Sequence, residues 1–287
     1  MNAATAAPIA VIGATGQQGG AVAAAVLDRG APVRAIARDA GQADDLAARG
    51  ADVAVADLDD LDTLRRAFGG VAAVFAMTTM TGPSGTEGEV AHGHAIADAA
   101  RDAQVPHLVY SSVGGAERDT GIPHFESKWR VERYLQEVGV PTVVVRPTFF
   151  MDNFLRLFTP ATEDGQVVLR APLAPGVPLQ MIAVADIGKA AATALLDSAA
   201  VPCGAVEIAG DECTPEAIAD TFGADQGLPA RFEPLPIDAI DDDDARRMFR
   251  WFTTLPAYAA DMERTRALVG DVTDFAAFVA RHEVPAS

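Results

Sequence analysis

Between residues 8 and 145 short apolar runs alternate with amphipathic stretches, and this alternation constrains the fold more than any other feature of the chain. The runs at residues 8–12, 32–37, 52–56, 72–76, 107–111 and 141–145 are nearly continuous in Val, Ile and Ala. Parallel strands buried on both faces read this way. Helical patterns fill the gaps, at roughly residues 16–29, 43–49, 61–68, 87–102 and 124–138. Strand–helix units of about 20–35 residues imply right-handed βαβ crossovers and hence a parallel α/β sheet.

The second half is less regular. Pro147, Pro160, Pro172, Pro175 and Pro178 break a stretch of little periodicity. Residues 181–184 followed by 186–196 read as one more strand–helix pair, in which Asp186-Ile-Gly-Lys189 looks like an exposed helix face. Pro215, after Thr214, sits at a first helical position. The run Asp241 to Asp244 precedes a helix over 245–252. Four adjacent carboxylates cannot all face one ion, so the expectation is an acidic first turn facing the helix dipole and water.

Composition excludes several classes. In 287 residues, 49% are hydrophobic, which is enough for a sizeable core and too much for a disordered chain. No apolar run approaches the ~18 residues of a membrane helix. Residues 1–8 carry no basic residue, unlike a secretory signal. The net charge of −18 argues against nucleic acid as a partner. Cys203 and Cys213 are too few for a disulfide framework or zinc knuckle, so two free thiols in a reducing cytoplasm are expected. His92 and His94, two apart on a helix, point in different directions and make a poor metal pair. No metal is expected.

The strongest chemical signal is Gly13-Ala-Thr-Gly16-Gln-Gln-Gly19-Gly20, placed between the first strand and the first helix. Glycines at this spacing let the backbone turn sharply and approach a pyrophosphate, which the helix N-terminus then binds. Gly13, Thr15, Gly16, Gln17, Gln18 and Gly19 are therefore candidate nucleotide contacts. The second strand ends in Arg38-Asp39. Arg38 suits the 2′-phosphate of NADP, whereas a shift of one residue would put Asp39 on the ribose hydroxyl of NAD. NADP(H) is the expected cofactor. Asp57 and Leu58, after the third strand, sit where adenine is expected. Thr78 and Thr79, after the fourth, are expected to flank the ribose. The expected domains are an NAD(P)-binding unit over 1–147 and a mostly substrate-binding region over 148–287, with 180–198 returning to the first.

With Val109-Tyr-Ser-Ser-Val113, His124-Phe-Glu-Ser-Lys128, Pro147-Thr-Phe-Phe-Met-Asp-Asn153 and Ala185-Asp-Ile-Gly188, these motifs together resemble the NmrA-like group of atypical short-chain dehydrogenases. The resemblance covers residues up to roughly 200. It implies a Rossmann-like, doubly wound parallel sheet with a smaller C-terminal α+β substrate region, and NADP(H) binding. It also implies one of two functions: reduction of quinones and dyes, or nucleotide sensing through a protein partner without turnover.

Ordinary short-chain dehydrogenases use Tyr-x-x-x-Lys, and the chain has none. Its only lysines are Lys128, four residues after His124, and Lys189, four after Ala185. Arg fills the other cationic positions, so a lysine retained at 128 points to a compact ammonium on ribose hydroxyls, the alternative being a solvated surface lysine. His124 is a candidate proton donor, or else a helix cap or nucleotide ligand. Ser111 and Ser112 end the fifth strand and either touch a substrate carbonyl or cap structure. Lys128, His124 and Ser111 form the candidate catalytic set. Phe150 is assigned to the nucleotide site, within an aromatic stretch (Phe149, Phe150, Phe154, Phe158) that reads equally as a flat-substrate pocket or as packing. The expected substrate is a quinone-like or other conjugated apolar small molecule.

Overall fold

The computed structural model describes residues 6–201 and 204–282. Cys203 and residues 1–5 of the N-terminal stretch lie outside the described residues. The first half runs β1 (Ile9–Ile12), α1 (Gln17–Asp28), β2 (Val33–Ala37), α2 (Asp44–Ala48), β3 (Asp52–Val55), α3 (Leu61–Phe68), β4 (Ala73–Met77), α4 (Gly85–Asp102), β5 (Leu108–Ser111), α5 (Pro123–Val138) and β6 (Thr142–Pro147). The second half runs β7 (Phe149–Phe150), β8 (Ala161–Glu163), β9 (Gln166–Ala171), β10 (Leu179–Ile182), α6 (Val184–Leu196), β11 (Ala205–Ile208), β12 (Asp211–Cys213), α7 (Pro215–Gln226), β13 (Ala230–Pro234), α8 (Asp243–Trp251), α9 (Met262–Val269) and α10 (Phe275–Arg281).

Seven parallel strands form the main sheet in the order β11-β6-β5-β4-β1-β2-β3. This is a Rossmann-like, doubly wound sheet. Its order reverses between β1 and β4, so a crevice opens there at the carboxyl ends of the strands. Helices α1 and α6 cover one face through Val22, Val26, Ile187 and Leu195. Helices α3, α4 and α5 cover the other through Leu64, Phe68, Ile96, Val131 and Leu135. The expected strands appear within two residues of their expected bounds.

Two small sheets, β12-β10-β7 and β13-β9-β8, build the C-terminal region. Helix α6 packs on α1, and β11 adds to the edge of the main sheet beside β6. β10 does not join that sheet; it pairs with β7 and β12. The aromatic stretch is packing. Phe149 and Phe154 are buried in a core with Phe222, Phe249, Phe252 and Phe275, and Phe158 stacks against it. Only Phe150 of that stretch reaches the crevice. Among the described residues no helix is long and apolar enough to cross a membrane.

The segment around Asp186 differs from its expected exposed face. Asp186 is fully buried. Its carboxylate accepts from Lys189 Nζ at 2.6 Å and from the Thr273 amide at 2.7 Å, and Lys189 also donates to the Asp271 carbonyl. The pair ties the chain before α10 to α6. Polar groups at these positions serve a long-range contact that helical periodicity does not encode.

Small residues let α6 approach α1. A Cβ on Gly188 would lie 2.6 Å from the carbonyl oxygen of Ala21, a backbone atom that cannot swing away. Gly188→Ala is therefore expected to destabilise the protein by about 1–3 kcal/mol through overpacking, despite the better helix propensity of Ala. Urea unfolding with an unchanged m-value checks this; a more stable variant would show that the helices separate freely.

Candidate functional site

A cleft of about 680 Å³ opens at the reversal of strand order. Its walls come from the chain just after β1, β2, β3 and β4. Gly13, Thr15, Gly16, Gln17, Gln18, Arg38, Asp57, Leu58, Thr78, Thr79 and Phe150 all line it. Gln42, Asp59, Thr81 and His92 line it too, and had not been expected there.

The glycine loop is shaped by backbone limits. Gly13 has φ +65°, a left-handed conformation that favours glycine. Gly19 lies beneath the loop, where a Cβ would stand 2.1 Å from the Gly13 carbonyl oxygen. α1 starts at Gly16 with no side-chain cap and no acidic residue in its first turn. Its leading amides are thus left for an anion.

Arg38 is exposed on the rim and, among the described residues, makes no hydrogen bond or ion pair. Asp39 is engaged elsewhere: its Oδ1 accepts from the Gly41 amide at 3.1 Å and caps a short turn. Arg34, in the same strand, is structural and holds Asp52 and the carbonyls of Ala67 and Gly69. The Asp57 carboxylate receives the Asp59 amide. His92 pairs with Asp59 at 3.0 Å, whereas His94 stacks on Tyr134, so the two imidazoles diverge.

Lys128 is not a solvated lysine. Its side chain is 14% exposed, and Nζ donates to the Thr78 carbonyl at 3.0 Å and to Glu89 Oε1 at 2.9 Å. Glu89 is 1% exposed and also accepts from Thr78 Oγ1 and Ser127 Oγ. Sequence reasoning missed Glu89. A signal was present: with Gly93, Ile96 and Ala100 it falls on the buried stripe of α4, where a carboxylate needs a reason. Ser111 donates to Gln18 Oε1 at 2.8 Å, and the buried Ser112 hydroxyl has no partner among the described residues.

The missing tyrosine is not replaced by another. Tyr110 is buried, shares a 2.9 Å hydrogen bond with Thr78 Oγ1, and burial pushes its phenol far above the usual range. Tyr258 is buried and raised likewise, and Tyr134 donates to Asp98 on α4. The half-buried thiol of Cys213 is pushed up to about 12, first by burial and then by Asp211.

His124 occupies the first turn of α5, and the acidic run meets it there. Asp242 caps α8 and Asp243 pairs with Arg246 and Arg247. Asp244, expected in water, instead accepts from the His124 amide at 2.8 Å and from His124 Nδ1 at 2.5 Å. Burial raises the Asp244 carboxyl, but the hydrogen bond and charge of His124 outweigh it and hold the group below its ordinary value.

The Glu89–Lys128 pair is buried, so cutting either partner strands the other. Glu89→Gln and Lys128→Met are each expected to cost about 3 kcal/mol. The double variant should cost less than their sum by about 1 kcal/mol or more. Strict additivity in denaturant titrations would mean that the two groups do not sense each other.

The sequence model of the NmrA-like family matches residues 5–277. An NAD(P)H azoreductase of Xenophilus azovorans is 31% identical over 235 residues, which are 80% of this chain and 78% of that protein. A nitrogen metabolite repression protein of Neurospora crassa is 31% identical over 183 residues, 60% of this chain and 36% of that one. In structure, the triphenylmethane reductase of Citrobacter sp. in complex with NADP(H) superimposes with a TM-score of 0.79 at 23% identity, covering 95% of this chain and 99% of that one. The chain belongs to the NmrA-like family.

Proposed function

We propose that the protein is an NADP(H)-dependent oxidoreductase that passes hydride to a quinone-like or other conjugated apolar small molecule. One observation carries the cofactor: a single cleft combines an uncapped helix N-terminus with a guanidinium that has no partner among the described residues. The first suits a pyrophosphate and the second a 2′-phosphate. Asp39, the residue that would favour NAD, is occupied with its own turn.

In this assignment the amides of Gln17 and Gln18 hold the pyrophosphate, and Asp57 and Leu58 border the adenine. Thr78 and Thr79 flank the ribose, and Phe150 adds an apolar wall. Bound NADPH supplies the hydride. Lys128 has three donors, of which Thr78 and Glu89 take two, and the third remains for ribose hydroxyls. Ser111 fixes the Gln18 side chain at the loop. Except for Phe150 the cleft belongs to residues 1–147, which supports nucleotide binding there and leaves 148–287 mostly to the substrate.

The acceptor class follows from the proton inventory. None of the three phenols is placed to donate a proton at neutral pH, which favours acceptors whose reduced form is already stabilised and leaves any acid role to an imidazole. The azoreductase relative supports that class. The Neurospora repression protein keeps a second reading open, in which the nucleotide binds, no hydride moves and a protein partner reads the state. NADPH oxidation by the purified protein, followed across a panel of quinones and azo dyes, decides between the two. Turnover with at least one acceptor is expected. Tight binding with no turnover against any acceptor would overturn the reductase reading.

Cofactor choice gives a separate check. NADPH is expected to bind at least ~10-fold more tightly than NADH, because a charge-assisted phosphate contact contributes about 1.5–3 kcal/mol. Arg38→Ala should bring the two affinities together in calorimetric titrations. Equal affinities in the parent would move the preference to NAD.

A further inference from the structure

We propose that Asp244 is a positioning residue that sets His124 as the proton donor to the reduced acceptor, so that the C-terminal region completes the active site. The inference rests on the reductase reading above.

The geometry is that of a two-point grip. Ile122, the N-cap of α5, offers no side-chain cap, and Asp244 Oδ1 supplies one from α8 by accepting the His124 amide. The second oxygen, Oδ2, holds His124 Nδ1 at 2.5 Å. An ionised carboxylate only accepts, so Nδ1 carries the hydrogen. The neutral ring then has its lone pair on Nε2, and the imidazolium has an N–H there. Capping explains the first bond alone. The second fixes ring orientation and tautomer, as a base-orienting carboxylate does.

Placement supports the role. His124 lies one helical turn before Lys128, on the same side of α5, and Lys128 Nζ touches the carbonyl of the cleft residue Thr78. The His124 side chain keeps 18% of its surface exposed, and Nε2 has no protein partner among the described residues. The charged neighbours leave Asp244 in command of the ring. Asp243 is matched by Arg246 and Arg247, Arg247 also donates to the Gly121 carbonyl, Glu126 receives the Gly121 amide, and Lys128 is matched by Glu89.

The step balances. The acceptor carbon gains hydride from NADPH and its electron pair moves to the heteroatom. The Nε2–H bond breaks, the proton joins that heteroatom, and water reprotonates the ring. Asp244 stays ionised throughout.

Asp244→Asn separates capping from charge, since the amide oxygen still accepts from the His124 backbone. Nitrogen-15 NMR of the five histidines, with His124→Gln for assignment, reads which ring nitrogen carries the hydrogen at the alkaline limit of a titration. In the parent, with or without NADPH, the His124 hydrogen is expected on Nδ1. In Asp244→Asn it should redistribute toward Nε2. In turnover, His124→Gln should lower kcat/KM by about 10²–10⁴-fold and Asp244→Asn by about 10–10³-fold, with NADPH affinity kept and the pH profile flattened. An Nε2–H tautomer in the parent, or full activity in either variant, overturns the proposal. A parent that turns over no acceptor overturns the reductase reading and the donor role with it; the tautomer measurement distinguishes that failure from a failure of the pair.

Discussion

An α-helix that begins without a cap is unstable at that end unless something supplies acceptors for its first amides. α1 begins this way at Gly16, and much of the first unit keeps it so. Gly19 brings the helix against the Gly13 carbonyl, and Gly188 brings α6 against the carbonyl of Ala21 on the opposite side. The helix is clamped between loop and neighbour by contacts that admit no Cβ. The uncapped helix start therefore rests on packing among Gly and Ala, not on any charged side chain in the loop.

Charged groups do their work where the two parts of the chain meet. Arg118, after β5, donates to Glu207 on β11 and to the carbonyl of Ala257, while Glu207 also receives the amide of Ala259. Asp186 and Lys189 anchor the chain before α10. Asp244 reaches His124. Each joint pairs a buried or half-buried carboxylate with a cation or amide, and each is costly to leave half-made. Apolar contacts join the same parts: Ile122 and Phe125 of the first unit share the C-terminal aromatic core, and Leu268 and Val269 of α9 pack with the main sheet. The polar joints add direction to that burial.

This division explains what the sequence reveals. The glycine loop, the six strands and the cleft-lining residues arise from local rules: backbone sterics, period and turn chemistry act within a few residues, so Gly13, Arg38, Asp57 and Thr78 are readable in place. Glu89 was readable in principle, as a carboxylate on an apolar stripe. Asp244 was not. Its partner is 120 residues away, and within its own run it looks like the other three aspartates. Phe149 and Phe154 were ambiguous for a related reason, since a pocket wall and a core share one composition until the facing surface is known.

The loss of tyrosine acquires a physical sense from Lys128. In Tyr-x-x-x-Lys chemistry the ammonium lowers the phenol's pKa across one helical turn. Here Lys128 is held by Glu89, and its charge is largely cancelled at 2.9 Å by a carboxylate that is itself buried. A tyrosine at position 124 would gain little from such a lysine and would remain a weak acid at neutral pH. An imidazole needs no help from a neighbouring cation, because its unperturbed ionisation already lies near neutrality. What it needs is a counterion for its charged form, and that is the group that α8 brings. The change from phenol to imidazole is thus coupled, on the proposed reading, to a change of partner: from a lysine on the same helix to a carboxylate delivered by the C-terminal region. Proton donation then depends on how that region seats against α5, and a bound acceptor that alters the seating would alter the acid as well.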